Sequence, residues 1–274
     1  MDCRKKLKLI GIAAAAIPVV MTLPARASAR QKAAFRGVNF AHRGLHTRDK
    51  AVPENSMEAF SLAVEKGYGI ELDVQLTKDG YVVVFHDDTL TRVCGAEGKI
   101  ADYTYSELKQ LHLCGTQQTV PLFSDVLALV NGRVPILCEL KTCGRKNREL
   151  CEKTYAFISG YTGDICVESF DPMILRWFSL HAPDLFRGQL AAPMSEYKNN
   201  PGGKLAAFLL SHTMMNFISR PQFIAYKIGR EPVSVRLAYL LGAMKFAWTS
   251  HEPRNEQGRD AVIFEYYKPK IRFK

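Results

Sequence analysis

The stretch YGIELDV, residues 68–74, alternates apolar residues with two carboxylates, which is the pattern of a β-strand. Glu71 and Asp73 are two positions apart, so their side chains point to the same face of that strand. Two adjacent carboxylates repel each other and are costly to bury unless a cation lies between them. The stretch therefore predicts a strand that carries a divalent-metal site into the interior of the fold.

Short strand-like runs of this kind recur along the chain and alternate with helical stretches. The alternation is typical of parallel βα units, and 274 residues suffice for a barrel built from them. Nine runs qualify where a barrel needs eight strands, so we predict an α/β fold, a (β/α)8 TIM-type barrel, with one run outside it. The sequence does not say which one. The runs are GVNFAH (37–42), YGIELDV (68–74), YVVVFHDD (81–88), VPILCEL (134–140), DICVESF (164–170), LFRGQL (185–190), FIAYK (223–227), KFAWTS (245–250) and AVIFE (261–265).

Capping residues predict where two of the helices begin and end. Asn55 is expected to cap the helix in NSMEAFSLAVEKG, with Glu58 completing a capping box and Gly67 ending the helix. Thr104 and Glu107 form the same pattern in TYSELKQL. These signals place one helix after the first strand and another after the third.

Two segments depart from a simple βα repeat. Nearly fifty residues separate His86 from Pro135, where one helix would suffice, so we expect an insertion after the third strand. The apolar stretch LAAFLLSHTMMNFI, residues 205–218, lies between two predicted strands and is interpreted as a barrel helix. An overexposed apolar face on this helix would instead favour lipid binding.

The first thirty residues have the composition of a targeting segment. Basic residues at positions 4–8 precede the apolar stretch 9–23, and small residues follow in PARASAR. We therefore predict a signal peptide or N-terminal membrane anchor over residues 1–29 and a barrel domain over residues 36–268. The predicted location is outside the cell, either secreted or tethered to the outer face of the cytoplasmic membrane.

The net charge of +10 does not indicate a nucleic-acid-binding protein. Residues 1–30 hold six Lys or Arg against one Asp, and the tail YYKPKIRFK (266–274) carries much of the remaining excess. The folded body is then close to neutral and offers no basic stripe for DNA or RNA. The tail is expected to be solvated, with contact to an anionic membrane surface as the alternative.

The cysteines beyond the targeting segment show no zinc-binding spacing. The domain is large enough to fold without disulfides, so we predict mostly buried free thiols. Two pairings stay open, Cys94 with Cys114 and Cys143 with Cys151.

Further charged and imidazole side chains fall at the carboxyl ends of the predicted strands. Glu139 and Lys141 share a face in LCELK, which adds a third carboxylate and a cation. His42 closes the first strand, and His86 ends the apolar face of VVVFHDD. Barrel enzymes place their chemistry at these strand ends, so we expect the residues to converge there.

Six motifs follow one another from Phe40 onward: AHRGLH, PENSMEAF, GIELDVQLTKDGYVVVFHDDTLTRV, PILCELK, ESFDP and AWT. In this order they resemble the glycerophosphodiester phosphodiesterase family, a relative of phosphatidylinositol-specific phospholipase C. The resemblance implies a (β/α)8 barrel with one divalent cation, Mg²⁺ or Ca²⁺, held by Glu71, Asp73 and Glu139. It implies that the acid/base pair is His42 and His86, and that the substrate-binding residues are Arg43, Glu54, Asn55, Lys141 and Trp248.

The implied reaction is metal-dependent hydrolysis of glycerophosphodiesters to glycerol phosphate and an alcohol. A phosphodiester resists attack because its charge repels nucleophiles and its alkoxide leaving group is poor, so a cation, a base and an acid are all needed. We prefer His86 as the acid. The alternatives are phospholipase D-like action on lysophospholipids, cleavage of glycerol-phosphate polymers and, more remotely, a non-catalytic binding protein on the same fold. The expected partner is a small-molecule substrate; no nucleic acid and no protein partner is evident.

Overall fold

Parallel strands form a closed barrel in the computed structural model, which describes residues 17–198 and 201–274. Within these residues the strands are β1 (Val38–Ala41), β2 (Gly69–Leu76), β3 (Val82–Val84), β4 (Ile136–Leu140), β5 (Ile165–Ser169), β6 (Arg187–Ala191), β7 (Phe223–Lys227), β8 (Met244–Ser250) and β9 (Ala261–Phe264). The sheet runs β1-β9-β8-β7-β6-β5-β4-β2, and β1 also pairs with β2. That last pairing closes a ring of eight parallel strands, as predicted.

Of the nine predicted strands, β3 is the one that lies outside the ring. It pairs antiparallel with β2, so that Val84 is opposite Val74. The residues that follow it pack around Val83, Phe85 and Leu90 as a small separate apolar cluster. The predicted insertion after the third strand is therefore confirmed.

Helices cover the outside of the barrel. Their bounds are α1 (Ala29–Phe35), α2 (Met57–Lys66), α3 (Thr91–Cys94), α4 (Tyr105–Leu108), α5 (Phe123–Val130), α6 (Asn147–Ser159), α7 (Pro172–His181), α8 (Gly203–Ser211), α9 (Asn216–Ser219) and α10 (Val233–Leu240). Short 3-10 turns lie at Ile100–Asp102, Leu113–Gly115, Gly144–Lys146, Met194–Tyr197 and Pro253–Glu256.

Aromatic rings fill the lower part of the barrel interior. Alternate residues of each strand point inward, and Phe40, Phe223 and Phe246 meet there, the last two stacked with centroids 4.2 Å apart. Outward residues such as Ile70 and Leu72 pack against the helices instead. Phe40 is opposite Gly69 in the strand register, so the inward carboxylates that follow on β2, and Glu139 opposite Asp73 on β4, lie closer to the carboxyl ends of the strands.

The helix caps match the predictions in part. Gly67 ends α2 in the left-handed conformation (φ +76°), and Thr104 with Glu107 forms the predicted capping box of α4. The N-cap of α2, however, is Ser56, whose hydroxyl accepts a hydrogen bond from the Ala59 N–H at 3.1 Å. The prediction of Asn55 as the N-cap was wrong, because its side-chain amide donates a hydrogen bond to Asp73 instead, as described below.

The apolar stretch 205–218 is not one helix. It forms the end of α8 and most of α9, which are separated at Thr213, a residue in the left-handed region (φ +51°). Among the described residues all six cysteines have free thiols, as predicted, but only Cys138, Cys151 and Cys166 are buried, which is half of them rather than most.

The predicted signal or anchor segment, residues 1–29, lies partly outside the described residues, which begin at 17. Thr22 is buried, and its carbonyl oxygen accepts a hydrogen bond from the Asn216 side chain at 3.0 Å. The Ala25 N–H donates to the Pro221 carbonyl at 2.8 Å. None of the helices in the described ranges is both long and apolar enough to traverse a bilayer. Export stays a prediction.

The basic C-terminal tail is held against the barrel rather than extended into solvent. The backbone of Arg272 forms an isolated antiparallel β-bridge with Val38, and the Phe273 N–H donates to the Gly37 carbonyl at 3.0 Å. The Tyr68 hydroxyl donates to the Pro269 carbonyl at 2.8 Å. The backbone of the tail is therefore packed beside β1, whereas its basic side chains, Lys268, Lys270, Arg272 and Lys274, are exposed, in line with the expected solvated basic terminus.

Gly188 on β6 provides a test of the interior packing. A Cβ atom there would overlap the ring of Phe223 on the neighbouring strand. We expect Gly188→Ala to lower the free energy of unfolding by about 1–3 kcal/mol, as overpacked cores do. Gly160→Ala is the matched control, because its added Cβ would have only an ordinary contact at 3.9 Å. Denaturant unfolding that gave the same midpoint for both variants would contradict the described packing.

Candidate active site

A cavity of about 1030 Å³ opens at the carboxyl ends of the barrel strands. Six of the ten predicted site residues line it: His42, Arg43, Glu71, His86, Glu139 and Trp248. They come from β2, β4, β8 and the segments that follow β1 and β3. The convergence expected from the strand-end positions is therefore present.

Three carboxylates cluster at the cavity: Glu71 and Glu139 line it, and Asp73 lies beside them. Asp73 is opposite Glu139 in the strand register, and Glu71 precedes Asp73 on the same face. Each residue offers an oxygen, all within 4.8 Å of one another, and all three are buried. Burial, followed by the charges of Asp73 and Glu139, raises the pKa of Glu71 well above its usual value. Burial likewise raises the pKa of Glu139.

This donor set fits a divalent cation. All the donors are oxygens, which suits Mg²⁺ and Ca²⁺ equally. The raised pKa values show that the ionised forms are under-stabilised by the protein alone, which is the deficit that a bound cation would correct.

Two neighbours hold Asp73 in its charged form. Burial alone would raise the pKa of Asp73, but Lys141, with further contributions from His86 and Arg43, keeps it well below its usual range. The Lys141 Nζ lies 2.9 Å from Asp73 Oδ1 and 2.8 Å from Glu139 Oε1. The Asn55 amide donates to Asp73 Oδ2 at 2.8 Å. Asn55 and Lys141 therefore hold the carboxylates of Asp73 and Glu139 in place through direct contacts.

The turn after β1 brings Arg43 over the same cluster. Arg43 is in the left-handed region (φ +53°), which directs its backbone N–H to Glu71 Oε2 at 2.9 Å. Gly44 follows at φ +78°, and a Cβ there would overlap the backbone of Ala59. The guanidinium of Arg43 donates to Glu54 Oε1 at 2.7 Å. Tight packing against α2 therefore sets the position of Arg43.

A chain of ion pairs connects Arg43 to His86. Arg92 donates to both oxygens of Glu54, at 2.7 Å each, and its Nε donates to Asp87 Oδ2 at 2.6 Å. Asp87 Oδ1 lies 2.7 Å from His86 Nδ1. Burial opposes ionisation of Glu54, but the two arginines bring its pKa down to about 2. Glu54 is therefore a charged link between two arginines.

His42 is held by Glu265 across the barrel seam. The His42 Nδ1 lies 2.8 Å from Glu265 Oε2, and His46 Nε2 lies 3.4 Å from the same oxygen. Burial, opposed by the Glu265 hydrogen bond, lowers the pKa of His42 to about 4. Burial opposes ionisation of Glu265 as well, but its two histidine partners hold the pKa of this carboxyl below its usual range. A neutral His42 beside an ionised carboxylate must donate through Nδ1, which leaves Nε2 as an acceptor.

The opposite wall of the cavity is mainly apolar. Phe170, Leu190 and Trp248 line it, and the rings of Phe170 and Trp248 meet edge to face with centroids 5.7 Å apart. Lys227 lies 5.7 Å from the Trp248 ring and pairs with Glu196 at 2.8 Å. This side offers apolar contact surface with one ion pair at its edge.

Three of the predicted substrate-binding residues are engaged in contacts within the protein. Glu54 is paired with arginines, Asn55 with Asp73, and Lys141 with Asp73 and Glu139. In the described part of the chain they are not among the residues that line the cavity. Their direct contact with substrate stays a prediction.

Sequence reasoning missed four residues of the site: Glu265, Asp87, Arg92 and Glu168. Two of them carried a usable signal, because Glu265 shares the inward face of AVIFE with Ile263, and Glu168 shares that of DICVESF with Cys166. Arg92 had no such signal, since it lies in the insertion and reaches Glu54 only after folding.

The chain is similar to known proteins over most of its length. The sequence profile of the glycerophosphoryl diester phosphodiesterase family matches residues 42–266, which is most of the chain. Similar proteins include a glycerophosphodiester phosphodiesterase of Bacillus altitudinis, 42% identical over 109 residues, covering 37% of this chain and 43% of that protein. Another, from Caldanaerobacter subterraneus subsp. tengcongensis, is 54% identical over 161 residues, covering 55% and 65%. The matched segments thus span less than two thirds of these relatives.

Solved structures share the fold. A phosphodiesterase of Oleispira antarctica, in complex with the product sn-glycerol-3-phosphate, superposes with a TM-score of 0.69 at 24% identity, over 85% of this chain and 94% of that one. The glycerophosphodiester phosphodiesterase of Thermotoga maritima gives 0.61 at 28% identity, over 83% and 93%. With the profile match extending from His42 through the last barrel strand, this chain belongs to the glycerophosphoryl diester phosphodiesterase family.

Proposed function

We propose that this protein hydrolyses glycerophosphodiesters to glycerol phosphate and an alcohol, using a divalent cation and two histidines. The observation that carries the proposal is that Glu71 and Glu139 line one cavity together with His42 and His86, with Asp73 grouped beside the two carboxylates. Membership of the family supports it, as do the names of the relatives. The Oleispira antarctica phosphodiesterase, which has the same fold, was solved with sn-glycerol-3-phosphate.

Charge complementarity suits the cavity to a phosphodiester. Glu71, Asp73 and Glu139 would hold the cation, which would supply positive charge to the non-bridging oxygens. The Arg43 guanidinium is beside the same carboxylates and would bind the phosphate from the β1 side. Arg43 is the better candidate for this contact than Lys141, because Lys141 already bridges two carboxylates.

The two histidines would divide the proton transfers. His42 has a free Nε2 lone pair when neutral, so it would remove the proton from the nucleophile. His86, on the segment after β3, would then protonate the departing alcohol. The nucleophile is either water or a neighbouring substrate hydroxyl, and phosphorus NMR distinguishes them by the presence of a cyclic phosphate product.

We expect the purified protein to release glycerol phosphate from glycerophosphocholine with added Mg²⁺ or Ca²⁺ and to lose this activity in a chelator. Glu71→Gln removes one charge from the carboxylate cluster and should lower kcat/KM by at least about 100-fold, because changes outside the ligand shell alone cost 10- to 100-fold.

The matched control is Glu65→Gln, an exposed position on α2, which should retain full activity. Activity that survives chelation, or a fully active Glu71→Gln variant, would contradict the metal role. Ligand binding with no turnover on any diester would favour the non-catalytic alternative.

Glu265→Gln tests the role of His42. The amide no longer fixes the tautomer, so kcat should fall by about 100-fold or more. Burial keeps the pKa of His42 near 4, so wild-type His42 stays neutral at pH 7 and gains its proton only as the pH falls towards that value. The Glu265 carboxylate raises this pKa, so its loss should move the acidic limb to lower pH.

The measurement for this variant is the pH dependence of kcat/KM, together with the imidazole nitrogen shifts by NMR. Glu252→Gln, a more exposed position near the same mouth, is the control and should leave both unchanged. A Glu265→Gln variant with the wild-type rate and tautomer would refute the assignment of His42 as base.

A second substrate class is favoured by the exposed face of α8. Leu205 is 71% exposed and Phe208 40% exposed, while Leu210 on the same helix lines the cavity. An acyl chain leaving the cavity along α8 would cover the two exposed side chains. Lysophospholipids are therefore the alternative substrates that this surface supports.

The double substitution Leu205→Ser with Phe208→Ser is expected to lower kcat/KM for lysophosphatidylcholine by about tenfold or more, since burying each apolar side chain is worth about 1.5–3 kcal/mol. Activity on glycerophosphocholine should not change. Leu240→Ser, on α10 and 85% exposed, is the control. Equal effects on both substrates, measured by steady-state kinetics, would exclude an acyl-chain contact at α8.

A further inference from the structure

One buried carboxyl group at the cavity has no part in the chemistry described so far. Glu168 on β5 is 1% exposed and lines the cavity. Its Oε2 atom has no hydrogen-bond partner among the described residues. A buried oxygen without a partner is destabilising unless water or a ligand satisfies it. A ligand in the cavity would therefore need to form a hydrogen bond with Glu168.

The barrel register decides where Glu168 lies. Asp73 is opposite Glu139, and Glu139 is opposite Glu168, so the three residues lie side by side on β2, β4 and β5. The next strand in the ring, β6, contributes Leu190 to the cavity. Glu168 thus lies at the border between the carboxylate cluster and the apolar wall.

The group of oxygens within 4.8 Å of one another comprises Glu71, Asp73 and Glu139 in the described residues, without Glu168. This separation argues against Glu168 as a fourth ligand of the same cation. It also places the carboxyl one strand beyond the region where the phosphate would bind.

A hydroxyl group is the ligand chemistry that fits this position. A phosphate oxygen would be repelled if Glu168 were ionised. A hydroxyl can donate to a carboxylate and can also accept from a carboxylic acid, so it satisfies Glu168 in either protonation state.

We propose that Glu168 binds a hydroxyl group of the substrate's glycerol moiety and so selects glycerol diesters over diesters of simple alcohols. The inference rests on the proposed function, because it takes the phosphate to lie between Arg43 and the carboxylate cluster. From there the esterified glycerol extends over Glu139 towards β5. Glu168 is a polar group at the point where that glycerol meets the apolar wall.

Ligand affinity tests the inference independently of turnover. The probes are sn-glycerol 3-phosphate and n-propyl phosphate, which has the same three-carbon chain without hydroxyl groups. Both are titrated into the full chain with added Mg²⁺ or Ca²⁺ by calorimetry. The wild-type protein should bind the glycerol compound roughly 10- to 100-fold more tightly, the range expected for hydrogen bonds to a charged group.

Glu168→Leu has a similar volume and no hydrogen-bonding group. It should remove most of the preference for the glycerol compound while leaving the affinity for propyl phosphate unchanged. Glu168→Gln keeps an oxygen acceptor and an N–H donor and should retain part of the preference. Cys166→Ala, on the same face of β5 one layer deeper, is the matched control and should retain all of it.

Several results would overturn the inference. Glu168→Leu could weaken both ligands equally or neither, or the wild-type protein could hydrolyse glycerophosphodiesters yet bind both probes equally. Loss of bound cation from Glu168→Gln, measured by metal analysis, would make Glu168 a metal ligand instead. A wild-type protein that binds neither probe and cleaves no diester would overturn the proposed function and this inference with it.

Discussion

Burying three carboxylates side by side is the constraint on which this site depends. Glu71, Asp73 and Glu139 are removed from water, and each disfavours ionisation of the others. Arg43 and Lys141 offset part of the charge through contacts to Asp73 and its neighbours. The negative charge that remains is what a divalent cation would neutralise. A barrel interior provides a setting in which such a cluster is both buried and open at one end.

The same constraint extends to the reactive groups. Arg43 is charged and close to the cluster, so it needs a counterion, and Glu54 supplies one that is shared with Arg92. Arg92 in turn holds Asp87, which contacts His86. One chain of ion pairs therefore couples the position of Arg43, which would bind phosphate, to that of His86, which would transfer a proton. Partial burial strengthens each contact in this chain.

The mouth of the barrel has two chemically different halves. Polar side chains come from β2, β4, β5 and the segments that follow β1 and β3, whereas β6 and β8 contribute Leu190 and Trp248. An anion bound on the polar side would direct its organic substituents towards the apolar side. Glu168 is at one boundary of the two halves, and the exposed face of α8 lies beyond the cavity on the apolar side. Substrate choice would therefore be decided at this boundary.

Local alternation in the sequence determined which side chains share a strand face, so it identified the Glu71 and Asp73 pair and the barrel class. Period-two geometry depends only on adjacent residues, which is why it can be read directly. Tertiary structure alone decided that β3 leaves the ring, that Asn55 gives up the helix cap to hold Asp73, and that Glu265 reaches His42 from 223 positions away. Those partnerships exist only once the barrel closes, because closure brings distant strand ends together.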